Sequence, residues 1–267
     1  MGKLDDLSCQ MQHLCCCHVS KRTGGAVSGP KSITKGIPMC FKASMIIIHR
    51  PFRPVQEEVL LRHLDLNDLE FRETTTMESC IYPDDRSINI GYYNNNIIIC
   101  EDYLLTNHLE VTNDPMSLAG YEEVLSSLFP GSEILTVACH ASVNYHLYSL
   151  VKDGEKLRFK RVIASSPILE YGDRLAEEEV IYAESRVIEG KRLFDSRWRE
   201  DHHNHAITED QLMEDFAFGV AKRHLGVKIS SGEENALMAG TPFKKFVKPA
   251  PIPLKSAASL RSWWKFW

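Results

Sequence analysis

The chain has 267 residues, 43% hydrophobic and 25% charged, which are ordinary values for a globular protein with a real core and exclude global disorder. Its net charge of -5 is unevenly spread: residues 1–38 carry +3, residues 241–267 carry +6, and the stretch between them carries -14. An acidic body lacks the basic surface that phosphate binding needs, which argues against nucleic acid as the main ligand of the fold.

Residues 1–38 show neither helical nor strand periodicity, and Ser20 to Pro38 is rich in Gly, Ser, Thr, Lys and Pro. That composition predicts a flexible leader, or translation from upstream of a true start at Met39 or Met45. Asp5, Asp6, Gln10, Gln12 and His13 interrupt any secretory signal, and Asp6 stands where a myristoylation signal wants Ser or Thr. Cys9, His13, Cys15, Cys16, Cys17 and His18 offer ligand atoms without the paired, separated spacing of a zinc site. Eight cysteines, three of them adjacent, predict reduced thiols and a cytoplasmic setting, with Cys80, Cys100 and Cys139 as small buried hydrophobes. No apolar run reaches the ~18 residues of a membrane span.

The ordered part begins with a predicted strand over Lys42–His49, then a helix from Pro54 to His63 with the proline in its first turn. Ser87–Tyr93 and Ile97–Asp102 flank Asn94, Asn95 and Asn96, a hairpin signal because asparagine tolerates positive φ. Asp114 and Pro115 read as the start of a helix with Met116, Ala119, Leu125 and Leu128 as its stripe, ended by Pro130 and Gly131. Glu133–Val151 and Lys156–Ala164 read as long β segments joined at Asp153 and Gly154. Thr208 and Gln211 form a capping box for a helix over Glu209–Leu225, with Lys222, Arg223 and His224 in its last turn and Gly226 behind it. A short strand near Val227–Ser230 and a segment around Phe243–Val247 precede Pro249, Pro251 and Pro253, where the domain ends.

A strand through Cys139–Tyr148 places His140, Ser142, Asn144 and His146 on one face, a base, a hydroxyl and an amide in a row. At 3.3 Å per residue the histidines would lie ~20 Å apart, too far to share a metal. The bland alternative is the solvent side of an antiparallel strand. Glu177, Glu178 and Glu179 could supply carboxylates, but such runs are usually solvated surface. Glu200, Asp201, His202, His203 and His205 carry ligand atoms without a helical His pair. No phosphate-binding glycine loop, dinucleotide fingerprint, Cys-x-x-Cys pair or nucleophile elbow occurs, and no cofactor or metal is predicted. The C-terminal stretch interleaves Trp263, Trp264, Phe266 and Trp267 with Arg261 and Lys265. As a helix it would be amphipathic and suited to a membrane surface; it could instead dock on the acidic body or stay disordered.

The order of segments resembles a family of bacterial proteins defined by a domain of unknown function. The resemblance is carried by Ile90, Gly91 and Tyr92 before the Ile97–Cys100 strand, His140 to Tyr148, Asp153 to Arg158, and Glu170, Gly172 and Leu175. It continues through a strand at Glu177–Tyr182, the final helix and Phe243, spanning residues 40–247. It implies an α+β domain and no particular activity.

The sequence therefore predicts a leader over 1–38, a single α+β domain over 39–248 with helices packed on a mainly antiparallel sheet, and a flexible tail over 249–267. Three functions are open: a non-catalytic binding or regulatory module for a protein or small-molecule partner; an enzyme such as a hydrolase, with His140 as base and Ser142, Asn144 or a Glu177–Glu179 carboxylate assisting; and a membrane-peripheral protein held by Trp263–Trp267.

Overall fold

In chain order the elements are β1 (Lys42–His49), α1 (Glu57–His63), β2 (Glu70–Thr76), α2 (Met77–Cys80), β3 (Ile88–Tyr93), β4 (Asn96–Glu101), α3 (Asn107–Glu110), α4 (Gly120–Leu128), β5 (Glu133–His140), β6 (Tyr145–Lys152), β7 (Glu155–Ile163) and β8 (Leu169–Tyr171). Then follow α5 (Ala176–Tyr182), β9 (Ser185–Ile188), β10 (Lys191–Phe194), β11 (Ile207–Thr208), α6 (Met213–Leu225), α7 (Asn235–Met238) and β12 (Pro242–Val247). This computed structural model describes residues 42–249, apart from 54, 82–84, 111–113, 165 and 195–206.

Nine strands form one antiparallel sheet in the order β2-β12-β3-β4-β1-β5-β6-β7-β8, and β11-β10-β9 form a small second sheet. The protein is thus α+β, as its sequence predicts. The run from Met45 to Ile48 sits in mid-sheet, pairing with Ile97–Cys100 on one side and with Ile134–Val137 on the other. Both faces of these central strands are covered, which is why they read as unbroken apolar runs instead of alternating. On one face Met45, Ile47, Ile98, Val137 and Leu150 pack against Phe216, Ala217 and Val220 of α6. On the other, Ile46, Ile48, Ile99 and Ile134 pack against Leu60 and Leu61 of α1 and Tyr121 and Leu125 of α4.

The asparagine hairpin forms: Asn94 and Asn95 take φ of 48° and 58°, the left-handed pair of a two-residue turn whose twist matches the strands. Asp153 and Gly154 do the same at 49° and 78° between β6 and β7. Gly91 is a glycine because a Cβ there would lie 2.6 Å from the buried Phe243 ring on β12. The capping box on Thr208 and Gln211 is present, though the first turn is 3-10 before α6 proper, and Gly226 ends the helix at φ 79°.

Five sequence expectations are corrected. Helix α1 begins at Glu57, with Gln56 as its cap, instead of in the turn at residue 54, which lies outside the described residues. Asp114 closes only an isolated turn, accepting from the Met116 amide (3.0 Å) and the Ser117 hydroxyl (2.6 Å). Helix α4 starts six residues later because buried Glu122 fixes its N-terminus, accepting from the Ala119 amide at 2.8 Å and pairing with buried Lys156 at 3.0 Å. The segment 133–151 is two strands, not one: β5 and β6 are joined by a 3-10 turn at Ala141–Val143 and Asn144 at φ 47°. Residues 227–230 form turns instead of a strand. Residues 177–182 are the helix α5, and the middle carboxylate of their acidic run is fully buried.

Candidate functional site

The sheet has two unlike ends. At one end the starts of β1, β6 and β3 meet the ends of β4, β5 and β12, and there the loop Asp102–Thr106 leaves the sheet. Glu101 holds this loop. Its buried carboxylate accepts from the Leu105 amide (2.9 Å), the Thr106 amide (3.4 Å), the Thr106 hydroxyl (2.8 Å) and the Ser44 hydroxyl. Burial pushes the Glu101 carboxyl up against the pull of those hydrogen bonds.

The pinned loop presents Tyr103 to one side and Leu104 to the other. Tyr103, at φ 53°, donates its hydroxyl to the Cys139 carbonyl at 2.7 Å and stacks on His140 with ring centroids 6.4 Å apart. Across from the ring, the His140 Nδ1 lies 2.9 Å from the Ser142 hydroxyl. Burial, then the Lys42 ammonium, lowers the His140 pKa, so the imidazole is a neutral base at physiological pH. Lys42 also sits 5.2 Å over the Tyr103 ring and 3.3 Å from Asp102. With the proton on Nε2, Nδ1 accepts from the Ser142 hydroxyl, the geometry of a nucleophile and its base. The orienting carboxylate that completes a triad is missing among the described residues: Asp102 pairs with Lys42 instead.

The polar row expected on one strand does not form. Because the chain reverses at Ala141–Val143, His146 pairs with Cys139 and not with solvent, and it is buried on the α6 face of the sheet. Burial and then His140 hold His146 down at about 4. Asn144 turns away as well, donating to the Ala164 carbonyl (3.2 Å) and to Asp210 (3.4 Å). Of the predicted set, only His140 and Ser142 come together. Glu177 pairs with Arg223 at 3.1 Å on the far side of the molecule. The proposed tail residues Arg261, Trp263, Trp264, Lys265 and Trp267, like His202, His203 and His205 and the cysteine cluster at 9–18, lie outside the described residues.

On its other side the loop borders a cleft of about 600 Å³, lined by Asp65, Leu66, Asp68, Leu69, Asp85, Arg86, Leu104, Val247 and Lys248. Its apolar lining comes from Leu66, Leu69, Leu104 and Val247; Leu104 is 43% exposed. Asp68 pairs with Lys248 at 2.8 Å and Asp85 with Lys245 at 2.5 Å, while Asp65 has no ion pair among the described residues. This size, with an apolar lining and a few charged groups at the rim, is that of a ligand site. Sequence reading misses the cleft because its parts come from four separated segments. Only Leu104 and Leu69 carry a local sign, being apolar residues in polar loops.

The interior holds a different polar assembly. A bulge in β7 at Leu157 turns Lys156 toward one face and Arg158 toward the other. Arg158 donates to both oxygens of Glu178 (2.9 and 2.7 Å), to Glu170 (2.7 Å) and to the carbonyls of Tyr171 and Gly172. Tyr148 adds a hydroxyl to Glu178 at 2.7 Å. Burial raises the Glu178 carboxyl, but Arg158, the Leu175 amide and Tyr148 outweigh it and hold the group below the usual carboxylate range. Lys160 bonds Tyr182 and Glu209, stands 4.1 Å over the Phe216 ring, and is lowered by burial despite its acidic partners. Every described donor of Arg158 has a partner, so this network fastens α5 and the 3-10 turn to the sheet.

Among the described residues no group of three or more His, Cys, Asp or Glu side chains is placed to hold a metal ion, and no helix is long and apolar enough to cross a membrane. A scan against protein-family models, a search of curated proteins and a search of solved structures each found no match.

Proposed function

We propose that the protein is a non-catalytic binding or regulatory module whose ligand seats in the cleft between residues 65–69, 85–86, Leu104 and 247–248. The observation that carries this reading is the cleft itself: an apolar lining of ligand-site size beside a loop that Glu101 pins in place. A site whose walls are held by buried hydrogen bonds loses little order on binding, which favours affinity. The charged rim and apolar lining suit a short peptide or a small amphipathic molecule. The buried free thiols of Cys80, Cys100 and Cys139 support a reducing, cytoplasmic setting, and the resemblance to uncharacterised bacterial proteins belongs to the same proposal.

A second reading rests on the Ser142 hydroxyl 2.9 Å from a neutral His140: a hydrolase in which His140 takes the serine proton. A thermal-shift screen of the full chain with short peptides and common metabolites separates the two. A ligand at 100 times its Kd stabilises the native state by ~2.7 kcal/mol. A shift lost in Leu104→Asp and kept in His140→Ala supports the cleft. A shift lost in His140→Ala and kept in Leu104→Asp overturns the cleft and favours the enzyme.

A further inference from the structure

The charges that line the cleft cancel in pairs until two remain. Lys248 takes Asp68 at 2.8 Å and Lys245 takes Asp85 at 2.5 Å. What is left in the lining, among the described residues, is one carboxylate and one guanidinium without an ion pair, Asp65 and Arg86, both exposed. Both also stand where the backbone favours glycine, Asp65 at φ 60° and Arg86 at φ 54°. Asp65 closes α1: its amide donates to the Arg62 carbonyl at 3.2 Å and the Leu66 amide to the Leu61 carbonyl at 2.9 Å, the paired bonds of a helix end whose left-handed residue is usually glycine. Arg86 lies in the turn into β3, between Asp85 and the Ser87 amide that donates to the Asp85 carboxylate at 3.2 Å. A charged side chain thus sits at each position against the local backbone preference, and neither gains an ion pair within the described fold that would offset it.

We infer that the cleft takes a short apolar peptide with both ends free, its ammonium at Asp65, its terminal carboxylate at Arg86 and its side chains on Leu66, Leu69, Leu104 and Val247. The inference rests on the reading of the cleft as a binding site and names the chemistry of its ligand. One remaining charge of each sign selects a ligand that carries both: a peptide blocked at either end leaves one of the two facing a neutral group, whereas a zwitterion answers the pair. The planar guanidinium of Arg86 offers a terminal carboxylate two parallel N–H donors. Because Asp65 and Arg86 border one cleft of about 600 Å³, the two ends of the ligand must lie close together, which at about 3.5 Å per residue limits it to a few residues. The half-exposed Leu104 and its apolar neighbours then reward leucine-like side chains over polar ones.

The test titrates the full chain with dileucine and trileucine by isothermal calorimetry, each peptide free, acetylated at its amine, amidated at its carboxylate, or blocked at both ends. The expected result is that either block weakens binding about 2- to 5-fold, the worth of an exposed ion pair, and that the two losses multiply. In Asp65→Gly the acetylation loss disappears and the amidation loss stays; in Arg86→Gly the reverse holds. Glycine suits both backbone positions, so these variants keep the fold, which circular dichroism checks. Doubly blocked peptides that bind as tightly as free ones overturn the inference, as do end-block losses that persist unchanged in both glycine variants. Free leucine that binds as tightly as dileucine overturns it in favour of a single amino acid, and no binding by any of these peptides overturns it outright. The cleft reading fails separately: a thermal shift with any compound of the wider screen that Leu104→Asp abolishes keeps the cleft when the end preference fails, whereas the absence of every such shift overturns both.

Discussion

The β7 interior and the Asp102–Thr106 end of the sheet both concentrate polar side chains, and they use them in opposite ways. In the interior, Arg158, Glu178, Tyr148 and two backbone carbonyls close on one another until the arginine has no donor left to offer. At the sheet end, Ser142, Asp65 and Leu104 keep surface toward solvent, and only the support behind them, Glu101 with its four hydrogen bonds, is saturated. The difference separates two roles for charge. A buried charge is tolerated where every partner is met, and such a group positions the fold. A half-exposed, incompletely partnered group is available to something else, and this is the better mark of a binding surface. Perturbed titration alone would have pointed to the wrong place, since the strongest networks lie in the interior.

The largest expected effect follows from breaking the interior network from one side. Glu178→Ala leaves the Arg158 guanidinium buried without its main counter-charge, and such one-sided removals cost about 3–5 kcal/mol. Chemical denaturation of the purified variant should show the drop at unchanged slope. A loss under 1 kcal/mol would mean that Glu170, 41% exposed on its side chain, takes over the pairing, and that the network is looser than its geometry.

Next comes the backbone that receives Arg158. Gly172 stands at φ 80°, and a Cβ there would lie 2.0 Å from the Leu157 carbonyl oxygen. Gly172→Ala combines a left-handed backbone with overpacking, which together are expected to lower stability by about 2–4 kcal/mol. An equal loss in Gly154→Ala, also at positive φ but with open space around its Cβ, would assign the effect to backbone conformation alone.

How far the fold was legible tracks how local its causes are. Both asparagine and Asp-Gly hairpins, β1, and the capped helix ending at Gly226 are written in neighbouring residues, because turn dihedrals and caps are satisfied within a few positions. Helix α4 was misplaced because its start is set by Glu122 reaching Lys156, a tertiary pair that no local pattern carries. The His140–His146 row failed for a related reason. A strand and a tight hairpin through the same residues share the same alternation, and Asn144 in the left-handed region was the one clue to the reversal. Glu178 looked like surface in an acidic run, because its partners Arg158 and Tyr148 stand 20 and 30 residues away and no local pattern carries that pairing. Of the candidate site, the sequence supplied the nearness of His140 and Ser142 but neither Tyr103 nor the cleft.

The pH dependence sharpens the contrast between buried and exposed titrating groups. At the opposite sheet end His224 is buried beside His49, Arg223, Glu133 and Asn96, with His49 ring to ring at 4.5 Å and Glu133 3.6 Å from its Nε2. Burial, then His49 and Arg223, hold His224 down at about 3, and His146 is held at about 4. A histidine whose folded value lies below its unfolded 6.5 binds fewer protons when native, so stability falls as pH drops below ~6.5 and goes on falling toward the folded value. Each group contributes a slope approaching ~1.4 kcal/mol per pH unit in that window. Glu178, with its lowered value, adds to the loss below ~4.5, whereas Glu101, with its raised value, opposes it between ~4.5 and its own folded value. Denaturation midpoints of His224→Gln between pH 7 and 4.5 should be flatter than those of the parent. Parallel curves would show that the ring is protonated in the fold, stabilised by Glu133.

The smallest effect on stability is expected at the sheet end, and its smallness is informative. Ser142 is exposed and, among the described residues, bonds the neighbouring His140 ring, so Ser142→Ala should move the unfolding free energy by no more than about 0.5 kcal/mol. If the cleft is the working surface, Ser142→Ala also leaves any ligand-induced thermal shift unchanged, because the serine stands on the far side of Tyr103 from Leu104. A silent Ser142→Ala with a damaging Leu104→Asp would assign function to the cleft side of the pinned loop. Ser142→Ala that abolishes turnover of an ester or amide substrate would move function to the histidine side, with Glu101 still holding the loop that both depend on.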